Sequence, residues 1–123
     1  MMKDESMSTL LSHDDINRIK EIAAPYRYST HSQLFYEGQT PIVAYLVLEG
    51  QINLTKRKRV RTKIGPGHLL GLNELMQHLP HPFAAEVLPK TTVIFLDLST
   101  VKEILQENPS GLGEIFENLL ETA

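Results

Sequence analysis

Apolar residues along the chain follow two different periods. Between residues 26 and 98 they fall in short runs of four to nine residues, partly alternating with polar ones, as β-strands do. Gly and Pro separate the runs, most clearly at Gly38, at Gly50 and at Gly65-Pro66-Gly67. The pattern predicts strands at residues 26–30, 33–36, 42–50, 51–56, 59–64, 83–88 and 91–98.

The two ends of the chain have the helical period instead. Ile16, Ile19 and Ile22 recur at helical spacing behind Ser12 or Asp14 as the N-cap, and Pro25 ends that helix. Two more helices are predicted after the strands, over 99–108 and 111–122, the first of them with Ser99 as its N-cap.

This order of elements predicts a mainly β (α+β) fold. We expect a jelly-roll β-roll over about residues 26–98, with the helix of about 12–23 before it and the two C-terminal helices after it. No repeat, low-complexity tract or linker interrupts the pattern, so residues 1–123 are expected to form a single domain.

Composition narrows the class of protein. The chain has no cysteine, which excludes thiol catalysis, disulfides and cysteine-type zinc sites. No apolar run approaches the roughly 20 residues of a membrane helix, and the acidic, polar N-terminus lacks the features of a signal peptide. We therefore expect a cytoplasmic protein.

Catalytic patterns are missing as well. The sequence has no evident Ser/His/Asp arrangement, paired-carboxylate spacing or phosphate-binding P-loop, so an enzyme is not expected. His68, His78 and His81 lie close in sequence, but Pro80 and Pro82 restrict the backbone between them and the spacing does not suit a cupin-type metal site. A cupin-like metalloenzyme is therefore a minor alternative, and no metal is expected.

Three segments carry a resemblance to a known family. They are "LFYEGQTPIVAYLVLEGQINL", "IGPGHLLGLNEL" and "AAEVLPKTTVIFLDLSTVKEIL". Together they resemble the cyclic-nucleotide-binding domain of the Crp/Fnr regulator superfamily over roughly residues 12 to 120. The resemblance implies a β-roll with a phosphate-binding cassette, here about residues 71–85, that begins at Gly71.

In that family a Glu after the cassette Gly binds the ribose, a short helix offers backbone N–H groups to the cyclic phosphate, and a later Arg clamps the phosphate. This sequence has Leu72 in place of the Glu and Phe83 in place of the Arg. The loss removes a charge-assisted pair, so ordinary binding of cyclic AMP or cyclic GMP is expected to be weak or absent. No cofactor is expected.

The resemblance still assigns candidate ligand contacts to the cassette. Glu74 is a substitute for the missing Glu only if the turn is reshaped, while His78 and His81 are the nearby groups that can become cationic. The candidate ligand-binding residues are Gly71, Leu72, Asn73, Glu74, His81, Phe83, Ala84 and Ala85. Leu72, Leu75 and Met76 are also interpreted as the apolar face of a short helix that faces the core.

A basic run is the second candidate surface. Half of the twelve Lys and Arg residues lie between positions 56 and 63, and all fifteen Asp and Glu residues lie elsewhere. The run is expected at a hairpin tip, where it is either a solvated hairpin or a surface for nucleic acid, anionic lipid or an acidic partner. Its cations are Lys56, Arg57, Lys58, Arg59, Arg61 and Lys63.

Three functions therefore remain open from the sequence. The first is a regulatory, small-molecule-binding module whose cyclic-nucleotide binding is weak or lost. The second is a true cyclic-nucleotide-binding regulatory domain with an altered cassette, and the third is a ligand-free scaffold that binds a protein through the basic hairpin or the terminal helix. We expect no DNA binding through a helix-turn-helix, because the chain ends at Ala123, and a homodimer through the C-terminal helix is compatible with the sequence.

Overall fold

The computed structural model describes residues 8–106, which form nine strands and three helices. The elements are β1 (Ser8–Leu10), α1 (His13–Ile22), β2 (Pro25–Tyr28), β3 (Ser32–Phe35), β4 (Val43–Glu49), β5 (Ile52–Lys56), β6 (Arg59–Ile64), β7 (His68–Leu70), α2 (Leu72–Gln77), β8 (Ala84–Val87), β9 (Thr91–Asp97) and α3 (Leu98–Gln106). Each of the seven predicted strand runs overlaps one strand, with ends that differ by at most two residues. The three-residue strands β1 and β7 were not predicted.

The strands form two antiparallel sheets. One has five strands in the order β1-β7-β4-β9-β2, and the other has four in the order β3-β8-β5-β6. Neighbours in each sheet are mostly far apart in sequence, as in a β-roll, and the predicted jelly-roll fold is therefore confirmed.

The apolar side chains form two clusters on the two faces of the five-stranded sheet. Strand β4 supplies both: Ala44 and Leu46 face the helices, whereas Tyr45 and Val47 face the four-stranded sheet. Burial on both faces explains why β4 has a nearly continuous apolar sequence instead of an alternating one. We call these clusters the helix-side core and the inter-sheet core.

Gly50 makes the turn that passes the chain from one sheet to the other. Its φ is +88°, which favours glycine, and a Cβ there would lie 2.5 Å from the Cα of Thr91. The Thr91 hydroxyl accepts a hydrogen bond from the Gln51 N–H (3.0 Å) and donates one to the Gln51 carbonyl (3.2 Å). The bend predicted at Gly50 is thus a close crossing of the start of β5 over the start of β9.

The helices begin at polar caps. Ser12 caps α1, and its hydroxyl accepts a hydrogen bond from the Asp15 N–H at 3.2 Å. Ser99 does not cap α3, contrary to the prediction: the helix already begins at Leu98, and the Asp97 carboxylate accepts a hydrogen bond from the Thr100 N–H at 2.8 Å. This bond lowers the pKa of Asp97.

Part of the predicted C-terminal structure lies outside the described residues. That part comprises the end of the predicted 99–108 helix and all of the 111–122 helix, including the dimer contact suggested for it. Within residues 8–106, no helix has the length and apolar character needed to cross a membrane.

Candidate functional site

Gly71 joins β7 to the short helix α2 at the start of the cassette. It is the N-cap of α2 with φ +85°, and its carbonyl accepts the hydrogen bond from the Leu75 N–H at 3.0 Å. The backbone N–H groups of residues 72–74 precede that first helical bond, as at any helix start. Gly71 therefore makes a left-handed turn directly into the start of α2.

The space beside Gly71 is taken by the imidazole of His81. A Cβ on Gly71 would meet His81 Cε1 at 3.5 Å, and the imidazole stacks on Phe35 with ring centroids 3.6 Å apart. His81 is only 1% exposed. Its backbone is fixed to the β3–β4 turn, since the Gly38 N–H donates to its carbonyl (2.8 Å) and its own N–H donates to Gln39 (2.9 Å).

Both ring nitrogens of His81 are buried without a hydrogen-bond partner. Burial lowers the pKa of His81 to about 4, so the ring is neutral at physiological pH. In this environment the ring therefore does not gain a positive charge near pH 6.5. A flat, neutral imidazole with two unpaired nitrogens fills the space beside Gly71.

Glu74 lies on α2 and is also buried. Its Oε1 atom has no hydrogen-bond partner. Burial raises the pKa of Glu74, with a smaller opposite effect from a hydrogen bond with its own backbone. Glu74 is thus a second cassette residue with an unpaired polar atom, and α2 is regular around it instead of reshaped.

The remaining cassette residues divide between the two cores. Leu72 and Leu75 belong to the helix-side core with Met76 packed against it, whereas Phe83 and Ala85 belong to the inter-sheet core. The structure therefore does not bring Leu72 and Phe83 into one apolar cluster.

Asn73 and Ala84 are half-buried and lie near the surface. The side chain of Asn73 accepts a hydrogen bond from Gln77 one turn later on α2, at 2.6 Å. Ala84 pairs with Thr55 across β5 and β8.

A cation that the sequence did not place at the cassette lies over Phe83. Lys56 Nζ is 5.4 Å from the centroid of the Phe83 ring, 3.3 Å from the Pro82 carbonyl oxygen and 3.5 Å from Glu37 Oε2. Contrary to the sequence-based expectation, His78 and His81 are thus not the only nearby groups that can be cationic. The missed signal is the pairing of β5 with β8, in which Thr55 lies opposite Ala84, so that Lys56 comes next to Phe83.

The three histidines considered for a metal site, His68, His78 and His81, do not lie close together. The His68 ring is 3.4 Å from the Ser8 hydroxyl, His78 is exposed at the end of α2, and His81 is buried. Among residues 8–106, no three His, Asp or Glu side chains are placed to hold a metal ion.

The basic run forms a hairpin of β5 and β6 with Arg57 and Lys58 as its two turn residues, both with positive φ (55° and 67°). The pairing shifts by one residue at Arg61, because Leu54 pairs with Thr62 but Thr55 pairs with Val60. The strand thus does not run straight through, so simple alternation does not place Arg57, Arg59, Arg61 and Lys63 on one face.

One open cleft lies away from the cassette, and a second adjoins the cassette at Ala84. The first, of about 550 Å³, lies between α1 and the residues around Val47 and Gly67. The second, of about 490 Å³, lies on the outer face of the four-stranded sheet between Tyr36 and the hairpin residues Arg57 and Lys58.

Comparisons with solved structures find the same fold. A structure solved in work on a cyclic-GMP-dependent signalling pathway that regulates bacterial phytopathogenesis has a TM-score of 0.78 at 17% identity, over 89% of this chain and 91% of that one. The catabolite activator protein of Thermus thermophilus gives 0.71 at 20% identity, over 91% of this chain and 53% of that one. This chain thus spans about half of that activator's length.

A third similar structure is the regulatory domain of Toxoplasma gondii PKA with cAMP. Its TM-score is 0.64 at 22% identity, over 76% of this chain and 38% of that one. No curated protein matches the chain in sequence. The family model of the cyclic nucleotide-binding domain matches residues 25–108, which is most of the chain, and the chain therefore belongs to the cyclic nucleotide-binding domain family.

Proposed function

We propose that this chain is a regulatory module, not an enzyme, whose cassette binds cyclic AMP and cyclic GMP weakly or not at all. The observation that carries the proposal is the packing of His81 and Phe83. His81 is 1% and Phe83 8% exposed, so both side chains pack into the protein interior instead of lining an open pocket.

The chemistry of these two side chains supports weak binding. Neither offers a fixed positive charge, because Phe83 is apolar and burial lowers the pKa of His81 to about 4. Loss of one charge-assisted pair is about 1.5–3 kcal/mol, or roughly tenfold to hundredfold in affinity. A nucleotide would also have to displace an imidazole that stacks on Phe35.

Calorimetric titration of the protein with cyclic AMP and cyclic GMP tests the proposal. We expect no saturable heat at micromolar ligand, and a micromolar dissociation constant for either nucleotide would refute the proposal. A rescue variant, Leu72→Glu with Phe83→Arg, restores the two side chains that the family resemblance implies. It is expected to bind a cyclic nucleotide more tightly than the parent chain does.

The position of Lys56 favours one second candidate, a true cyclic-nucleotide site with an altered cassette. Its ammonium lies over Phe83 and its side chain is 40% exposed, so a positive charge is available beside the cassette. Its contacts with Glu37 and the Pro82 carbonyl partly compensate that charge. If this candidate is correct, calorimetry will detect binding that Lys56→Met weakens.

A further inference from the structure

Five cations on the β5–β6 hairpin extend beyond Lys56 and its contacts. All five are exposed, and within residues 8–106 none of them forms an ion pair. We call them the hairpin cations: Arg57, Lys58, Arg59, Arg61 and Lys63. Since uncompensated like charges repel one another, such a set is best stabilised by an anionic partner.

The two residues at the hairpin tip are charged, although the backbone conformation of the turn favours other residue types. A two-residue turn with positive φ at both positions favours Asn-Gly or Asp-Gly, but this turn has Arg57 and Lys58 at φ 55° and 67°. Left-handed backbone is unfavourable for such side chains. The turn therefore presents two cations where uncharged residues would be more stable.

The cleft beside the tip combines opposite charges. Arg57, Lys58 and the 64%-exposed ring of Tyr36 line it, together with the carboxylates of Glu37 and Glu86. A uniform polyanion in this cleft would meet those carboxylates as well as the cations. A peptide satisfies the cleft better, because it carries separate acidic groups for the cations and backbone N–H donors for the carboxylates.

The edge position of strand β6 is a second feature that favours a peptide as the partner. It is at the edge of the four-stranded sheet and, within the described part of the chain, pairs only with β5. Lys and Arg on an edge strand oppose pairing with a neutral or basic strand, whereas an acidic strand meets complementary charge.

We infer that the hairpin cations and the adjoining cleft form a docking surface for an acidic, extended peptide segment of a protein partner. Nucleic acid or an anionic membrane fits less well, because either would extend past the hairpin over the rest of residues 8–106, which has nine Asp and Glu residues against five Lys and Arg residues. Screening confines the attraction to within about 8 Å at physiological salt, so the local match decides. The inference does not depend on whether the cassette binds a nucleotide.

Fluorescence anisotropy with a fluorescein-labelled peptide of alternating Glu and Ser tests the docking surface. We expect saturable binding that weakens as salt rises, and none by the matching peptide of Gln and Ser. The variant Arg57→Glu, Lys58→Glu, Arg61→Glu should weaken binding about tenfold or more, as the loss of three screened ion pairs predicts.

A matched control separates docking from net charge. Arg18→Glu, Lys20→Glu, Lys102→Glu changes the net charge equally at three exposed positions outside the hairpin, and it should leave the affinity nearly unchanged. Equal loss in both variants, or no binding at low salt, would overturn the inference. Circular dichroism melting shows that each variant is folded.

Two further outcomes would replace the acidic peptide with another occupant. Tighter hairpin-dependent binding of oligothymidylate or of phosphatidylserine vesicles would do so. Hairpin-dependent self-association in analytical ultracentrifugation would do so too, since it would assign the surface to a second copy of the chain.

Discussion

Replacing His81 with phenylalanine should make the protein more stable, and increasingly so in acid. The imidazole packs on Phe35 and beside Gly71 with both ring nitrogens unpaired. A phenyl ring keeps the stacking and removes the two unsatisfied polar atoms. A buried polar group without a partner costs about 1–3 kcal/mol, so the variant should gain about 1 kcal/mol at neutral pH.

The pH dependence follows from the lowered pKa of His81. The ring has a pKa of about 4 in the folded chain against an ordinary value of 6.5, so the unfolded chain binds its proton first as the pH falls. Above pH 6.5 His81 is neutral in both states, and its titration does not lower the unfolding free energy. Between pH 6.5 and 4 the unfolding free energy falls progressively, because only the unfolded chain binds the proton readily. By pH 4 this loss is about 3 kcal/mol.

Urea unfolding measured by circular dichroism over this pH range tests the prediction. The difference in unfolding free energy between His81→Phe and the parent chain should grow by about 3 kcal/mol from pH 7 to pH 4. Glu74, whose pKa is raised, is present in both proteins and cancels in the difference. Overpacking by the larger ring would shift the difference by a constant, so parallel curves would refute a buried neutral His81.

Three further tests use substitutions at other features. Gly50→Ala should lower the free energy of urea unfolding by at least about 3 kcal/mol, because its Cβ would collide with Thr91. Gly38→Ala has the same positive φ but open space around it, so it should lower that free energy by only about 1 kcal/mol. Equal losses in the two variants would contradict the collision. Arg57→Asn with Lys58→Gly should raise the unfolding free energy by about 1 kcal/mol, since it installs the dipeptide that this turn favours, and a loss of stability would mean that the turn is unstrained. Lys56→Met should lower the unfolding free energy by about 1 kcal/mol, because it removes the contacts with Glu37, Pro82 and Phe83. It should also speed hydrogen exchange at the amide of His81. Unchanged exchange would show that Lys56 does not hold the end of the cassette in place.

Local pattern predicted most of the fold but little of the site. The longer strands and α1 have clear periods and caps, so the sequence was sufficient for them. β1 and β7 have three residues each, too few for alternation to be visible.

At the site, the decisive contacts join distant parts of the chain. Lys56 lies 26 residues before Pro82 and reaches it only because β5 pairs with β8. His81, set between two prolines, has the sequence context of an exposed loop, yet its hydrogen bonds with the β3–β4 turn direct the ring inward. Such contacts between distant segments leave no mark in the hydrophobic pattern.

The junction of β9 and α3 has a mechanical consequence. Asp97 is the last residue of β9 and Leu98 the first of α3, so strand and helix meet without a linker, and the Asp97 carboxylate also caps the helix. Val101, one turn further, is fully buried in the helix-side core. A rotation of α3 must therefore either break this cap or twist β9, an interior strand of the five-stranded sheet. The helix is thus coupled rigidly to that sheet.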